Sequence, residues 1–181
     1  RIDAKPTPIE WQRHETALIV VDMQNGFLKK GGYFDHVGYD LTHSPHTIAM
    51  VKSVLDAARA ADMFVEVVQE NPEPTPDDLI ARKSRYSGFS GTNLDQVLRA
   101  RRVRNVVLCG VAANACVETT LREAYHHEYF PLLIEDATRH AGPQYCMDAT
   151  LWNVRTFFGW TATTAQLRSA IGLEAAAPAH A

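Results

Sequence analysis

The chain has 181 residues, of which 46% are hydrophobic and 22% charged, with a formal net charge of −3. That length suits one domain with a substantial core. The mild negative charge argues against a nucleic acid or an anionic membrane as partner, since both select basic patches, and no apolar run nears the roughly 20 residues of a membrane span.

Residues 1–15 are polar, carry Pro6 and Pro8, and read as a surface arm without a signal-peptide core. Residues 16–21 (TALIVV) are β-branched and apolar on both faces, as a central parallel strand requires. The strand ends in Asp22. A glycine-bearing loop is expected over 29–40. Ser44-Pro45 then opens a helix with Ile48, Val51, Val54, Leu55 and Ala58 at helical spacing. Residues 63–68 (MFVEVV) form the second strand, and 69–78 (QENPEPTPDD) a loop. Residues 80–83 make a short strand, 87–92 (SGFSGT) a turn, and 93–102 a helix. The next strand is 106–109, followed by a helix that holds Cys116. Residues 131–135 (PLLIE) are a strand leading to Asp136, and Gly142-Pro143 opens a helix reaching about residue 157. An edge strand at 161–163 and a helix at 165–171 complete the domain. It spans 16–173, with a frayed tail at 174–181.

Strands alternating with helices mean βαβ units: a three-layer α/β/α fold around a mainly parallel sheet. Such sheets bind ligands outside the carboxyl ends of their strands. Asp22, Lys83 and Cys116 all fall at or just beyond strand ends. Cys116 also stands at a helix start, where the dipole favours a thiolate. Asp22, partly desolvated at a strand end, is a candidate base, and Lys83 could hold that carboxylate and steady the sulfur. Backbone N–H groups before Cys116 could receive an oxyanion. These parts suit hydrolysis of an amide-like C–N bond.

Each part alone has a plainer reading. Asp22 could be a turn residue and Lys83 a solvated charge, while Cys109 and Cys146 read as packing. Three cysteines without close pairing suggest free thiols in a reducing cytoplasm. Composition and periodicity therefore stop at an α/β domain with a candidate thiol site.

Three segments in order, TALIVVDMQNGF, ARKSRYSGFSGTNLD and GVAANACVETTLREA, resemble the signature segments of the isochorismatase-like cysteine hydrolases. The likeness covers about residues 16–171. It implies Asp22 as general base, Lys83 as positioning cation and Cys116 as nucleophile. It also implies a cis Val111–Ala112 bond, with the N–H groups of Ala112 and Cys116 forming an oxyanion hole. Within the family, KSRYSGFSGTNLDQVLRARRVRN, ACVETTLREAYHHEYFPLLIEDATRHAGP and NVRTFFGW resemble the branch that cleaves small ureido compounds. GGYFDHVGYDL resembles that branch and the biuret hydrolases equally. The expected activity is cofactor-free hydrolysis of a small ureido compound, with a biuret or carbamoyl amine as the alternative and a non-catalytic or redox-sensing relative as the other class.

The family usually has threonine where Ala113 stands. It also carries some tens of residues between the second strand and the lysine, where only QENPEPTPDDLIAR separates Val68 from Lys83. A segment is therefore expected to be missing, with a seam near Gln69 to Asn71. The nicotinamidase branch binds metal through an aspartate and histidines after the second strand. No histidine stands there, so no metal is expected. His36, His43 and His46 are read against a metal site, and His126-His127 as surface or subunit contact. Asn25, Tyr86 and Phe89 lie near enough to line the pocket, and Asn114 suits either an N-cap or a substrate contact. Arg85 or Arg82 could meet a substrate carboxylate. Phe157, Phe158 and Trp160 read as core or subunit interface. Relatives assemble as homo-oligomers, so a homo-oligomer, a tetramer, is expected.

Overall fold

A computed structural model describes residues 1–69 and 79–173. Six strands form one sheet: β1 (Thr16–Val21), β2 (Phe64–Gln69), β3 (Leu79–Arg82), β4 (Asn105–Val111), β5 (Phe130–Arg139) and β6 (Trp160–Ala162). Their order is β3-β2-β1-β4-β5-β6, and every pair is parallel. The short helices α1 (Asn25–Leu28) and α2 (Tyr33–His36) follow β1, and α3 (Ser44–Ala60) leads to β2. Then come α4 (Leu94–Ala100), α5 (Glu118–His126), α6 (Gln144–Asn153) and α7 (Thr164–Ala170).

The strands bury both faces, which is why they read as unbroken apolar runs. Leu18 and Val20 of β1 pack with Val107, Leu132 and Ile134 against Val51 and Val54 of α3 and Leu167 of α7. Ala17, Ile19 and Val21 pack with Val106, Leu108 and Leu133 against Leu94 and Leu98 of α4 and Leu121 of α5. This is the expected three-layer α/β/α fold, with a sheet that is wholly parallel.

Three local expectations need correction. The arm is not only a surface strap. Ile2 is buried in the core, and Ile2 and Ile9 exchange backbone hydrogen bonds. Lys5 likewise pairs antiparallel with Thr161, covering the exposed edge of β6. On α3 the buried line is Thr47, Val51, Val54 and Ala58, which leaves Ile48 exposed on its flank. The fifth strand runs on to Arg139, because the register shifts between the Leu108↔Leu133 and Gly110↔Thr138 pairs. That irregularity lets the strand continue past Asp136 and pair Arg139 with Val111. The loop expected over 69–78 begins one residue later, since Gln69 ends β2. Its residues 70–78, the seam expected near Gln69 to Asn71 beyond Gln69 itself, and the tail at 174–181 lie outside the described residues. Among the described residues, no helix is long and apolar enough to cross a membrane.

Candidate active site

The chain winds from β1 toward β2 on one side and from β4 toward β5 on the other. The crevice where the order reverses therefore lies at the carboxyl ends of β1 and β4. Asp22 leaves β1 with φ of +50°, a left-handed turn that aspartate tolerates better than most residues. Beside it, Gly110 has φ of +116° and pairs with Val21. A Cβ on Gly110 would stand 2.1 Å from the Val21 carbonyl oxygen, so β1 and β4 reach this closeness only with glycine there. The Val111–Ala112 peptide bond that follows is cis. Ala113–Val117 then form a π-helical turn carrying Cys116 into α5. Such turns are frequent at functional sites, and helical spacing alone did not reveal this one.

The end of β2 anchors two of the three polar residues. The Asp22 N–H donates to the Val68 carbonyl at 2.9 Å, and the Lys83 N–H to the Gln69 carbonyl at 3.0 Å. Lys83 reaches across from β3, placing its Nζ 2.8 Å from Asp22 Oδ2 and 3.6 Å from Cys116 Sγ. The lysine and aspartate side chains are 0% and 1% exposed. A buried ion pair of this kind holds only while both partners are present.

The thiol departs from the expectation of a ready thiolate. Burial pushes Cys116 up to about 12, and a hydrogen bond to Asp22 together with the aspartate charge pushes the same way. Lys83 opposes them only in part. The resting sulfur is thus a thiol whose proton faces a carboxylate, an arrangement in which a carboxylate could take the proton from sulfur. Cys109 is fully buried in β4, where burial alone pushes it up to about 12, which fits packing.

A cavity of about 760 Å³ opens over this corner. Asp22, Ala112, Asn114, Cys116 and Tyr86 line it, as do Gln24, Phe27, Tyr33, Phe34 and Tyr39. The aromatic wall from α1, α2 and the following turn was missed. Its signal was the density of Phe and Tyr among the glycines of GFLKKGGYFDHVGY. Other expected contacts fall elsewhere. Phe89 is buried in the core, stacked on His127 and Tyr129, because its loop turns inward under α5. Asn25 and Arg85 are exposed and lie outside the cavity wall, the Arg85 guanidinium donating to the Ser84 carbonyl. Arg82 is exposed as well. Asn114 does not cap the helix. Its amide donates to the Ala141 carbonyl at 3.0 Å and accepts the Ala141 N–H at 2.9 Å, bracing one wall against the next. Ala113 is fully buried and stands outside the cavity wall, so its missing hydroxyl concerns the interior.

The model of the isochorismatase domain matches residues 16–166. The chain belongs to the isochorismatase family. A ureidoacrylate amidohydrolase RutB of Agrobacterium fabrum (strain C58) is 40% identical, covering 90% of this chain and 92% of its own length. A second, from Rhizobium rhizogenes (strain K84), is also 40% identical, over 90% and 85%. The first alignment runs over 210 positions, more than the 181 residues here, so that relative carries residues without a counterpart in this chain. Among solved structures, a cysteine hydrolase from Pseudomonas syringae pv. phaseolicola 1448A superposes with a TM-score of 0.79 at 27% identity, covering 93% of this chain and 99% of that one. An N-carbamoylsarcosine amidase from Thermoplasma acidophilum gives 0.68 at 25% identity, over 83% and 96%. This family member thus shares its scaffold with proteins named for chemistry at cysteine and at carbamoyl groups.

Proposed function

We propose that this isochorismatase-family chain is a cysteine amidohydrolase acting on a small ureido acid of the ureidoacrylate type, as in pyrimidine degradation. The observation that carries the reading is Lys83 Nζ lying 2.8 Å from Asp22 and 3.6 Å from Cys116 Sγ, two residues that line a cavity. The RutB relatives supply the substrate class.

In the proposed reaction Asp22 takes the Cys116 proton as Sγ attacks the carbamoyl carbon. The N–H groups of Ala112 and Cys116 receive the oxyanion, each such donor contributing about 3 kcal/mol of transition-state stabilisation. Collapse breaks the C–N bond, and Asp22 returns its proton to the leaving nitrogen, releasing aminoacrylate. Water, deprotonated by Asp22, then attacks the S-carbamoyl cysteine. Sγ leaves and is reprotonated, and carbamate departs to decay into carbon dioxide and ammonia. Lys83 holds the Asp22 carboxylate in place and lowers the cost of charge on sulfur. Of the expected substrate contacts, Tyr86 and Asn114 line the cavity and are proposed to meet the substrate.

Ammonia release from ureidoacrylate by the purified protein, with Cys116→Ser and Cys116→Ala as controls, is the test. Both variants should be inactive yet folded, and mass spectrometry of quenched wild type should find a carbamoyl group on Cys116. Turnover persisting in either variant would remove the nucleophile assignment. The likeness to an N-carbamoylsarcosine amidase favours a carbamoyl amine as the second substrate to assay.

We also infer a homo-oligomer, a tetramer, working in a reducing cytoplasm. Support comes from three free cysteines and from an aromatic patch on α5, α6 and the turn after it. There Tyr125, Tyr145, Trp152 and Phe157 are all exposed, and Trp152 meets Phe157 edge to face at 5.3 Å. Patches of this kind on a folded surface mark association sites. Sedimentation of the wild type against Trp152→Glu should show the assembly dissociating.

A further inference from the structure

We propose that Thr120 is a positioning residue that sets the lysine loop against the nucleophile; the proposal rests on the cysteine-hydrolase reading above. Thr120 is 0% exposed and lies one helical turn beyond Cys116. Its hydroxyl donates to the Cys116 carbonyl at 2.6 Å. A threonine bonding the carbonyl four residues back is ordinary in helices. The second bond is not: the same oxygen accepts the Gly88 N–H at 2.9 Å, from a segment 32 positions away.

Within the loop over 83–93, Gly88 ends the stretch that begins at Lys83. The Lys83 N–H is anchored on the Gln69 carbonyl of β2 at the other end. This stretch is therefore pinned at one end to the strand that also holds Asp22, and at the other to the peptide of the nucleophile itself. The Gly88 carbonyl is held in turn by the Thr92 hydroxyl at 2.6 Å. The approach is close enough that a Cβ on Gly88 would meet Val68 Cγ1 at 2.9 Å and Thr120 Cγ2 at 3.2 Å. Between the pins lie Lys83, which touches both Asp22 and Cys116, and Tyr86, which lines the cavity. One hydroxyl thus joins the two segments whose separation decides whether lysine, aspartate and sulfur meet.

Thr120→Val and Thr120→Ala remove the hydroxyl and leave a buried Gly88 N–H without its acceptor, whereas Thr120→Ser keeps both bonds. The readouts are ammonia release from ureidoacrylate, melting curves, and iodoacetamide alkylation of Cys116 against pH, followed on the Cys116 peptide by mass spectrometry. For Val and Ala, kcat should fall about 10- to 100-fold, the scale of an ångström-sized misplacement. KM should change less than kcat, since the pinned loop carries Tyr86 while the rest of the cavity wall comes from other segments. Their Cys116 alkylation profile should move on the pH axis, because the distances to Lys83 and Asp22 change. Thr120→Ser should restore kcat and the profile. Folded Val and Ala variants with wild-type kcat and profile would overturn the proposal, as would a Ser variant as impaired as Ala. Activity surviving in Cys116→Ser overturns the cysteine-nucleophile reading on which the proposal rests. Activity lost in Cys116→Ser but kept in Thr120→Val overturns only the positioning role.

Discussion

Asp22 and Glu66 are carboxylates on adjacent strands of one sheet, each 1% exposed, and their surroundings differ in one respect. Asp22, at the end of β1, has the Lys83 ammonium at 2.8 Å. Glu66, inside β2, leaves Oε2 without a hydrogen-bond partner among the described residues. Burial pushes its carboxyl up to about 7, and the charge of Arg101 opposes this only in part. Arg101 is itself drawn over the Phe64 ring, its Cζ 4.2 Å from the centroid. The same low-dielectric layer thus holds a carboxylate in an ion pair where a cation reaches into it and favours the neutral acid where none does. The active corner differs from the rest of the sheet in its lysine as much as in its cysteine.

The severest way to break the contrast is Lys83→Met. It turns the Asp22 site into a second Glu66 site, a buried carboxylate without its cation. Removing one partner of a buried pair costs about 3–5 kcal/mol, so urea unfolding at pH 8 should show a loss of that order together with loss of turnover. Adding Asp22→Asn to Lys83→Met should recover much of the stability and none of the activity. Recovery of neither would mean that the pair does not set the stability of this corner.

Gly110→Ala leaves the charges in place and attacks the spacing between β1 and β4. The new Cβ would stand 2.1 Å from the Val21 carbonyl oxygen on a backbone with φ of +116°. One strand must shift, at a cost on the order of 1–3 kcal/mol. Asp22 and the Val111–Ala112 bond lie one residue beyond the clash, so kcat should fall further than stability alone explains. Melting curves and turnover measured on one preparation separate the two effects.

Asp22→Asn sharpens the comparison from the sulfur side. Burial pushes the thiol up first, the Asp22 hydrogen bond and charge add to it, and Lys83 pulls it down. Replacing the carboxylate by an amide removes both aspartate contributions and leaves the lysine. Cys116 should then alkylate faster with iodoacetamide at pH 8, several-fold over wild type, while turnover disappears with the proposed general base. Slower alkylation would show that Asp22 does not hold the proton on sulfur.

The strands of this fold were legible because burial on both faces writes itself as apolar runs, as in TALIVV over β1. What escaped depends on partners distant in sequence. The extension of β5 past Asp136 needs a shift in register against β4, and the polar residues there read as a strand end. Ile2 is one apolar residue in a polar arm, and only its pairing with Ile9 brings it inside. Asp22, Lys83 and Cys116 could each be placed at a strand end from periodicity, but their meeting was carried by family resemblance. Phe89 and Tyr86 show the limit most plainly. They lie three positions apart in one loop, one buried in the core and one 66% exposed at the cavity mouth, and no local pattern separates them.

Glu66→Gln carries the smallest effect and tests the other half of the contrast. The folded-state carboxyl titrates at about 7, raised from an ordinary 4.5. Below the ordinary value both states carry the proton, and the residue adds no pH dependence. As pH rises through that value the unfolded chain releases its proton while the folded chain keeps it, so stability falls until the folded acid ionises near 7. Above that the penalty is constant. Glutamine has no proton to release, so the variant should match wild type in melting temperature near pH 4.5 and exceed it by a few degrees at pH 8. Its melting temperature should lose less between those limits than that of wild type, and ammonia release should stay at the wild-type level. A gain that does not grow with pH would mean that some contact reaches Glu66 and keeps its charge, and the contrast with Asp22 would then no longer rest on the cation.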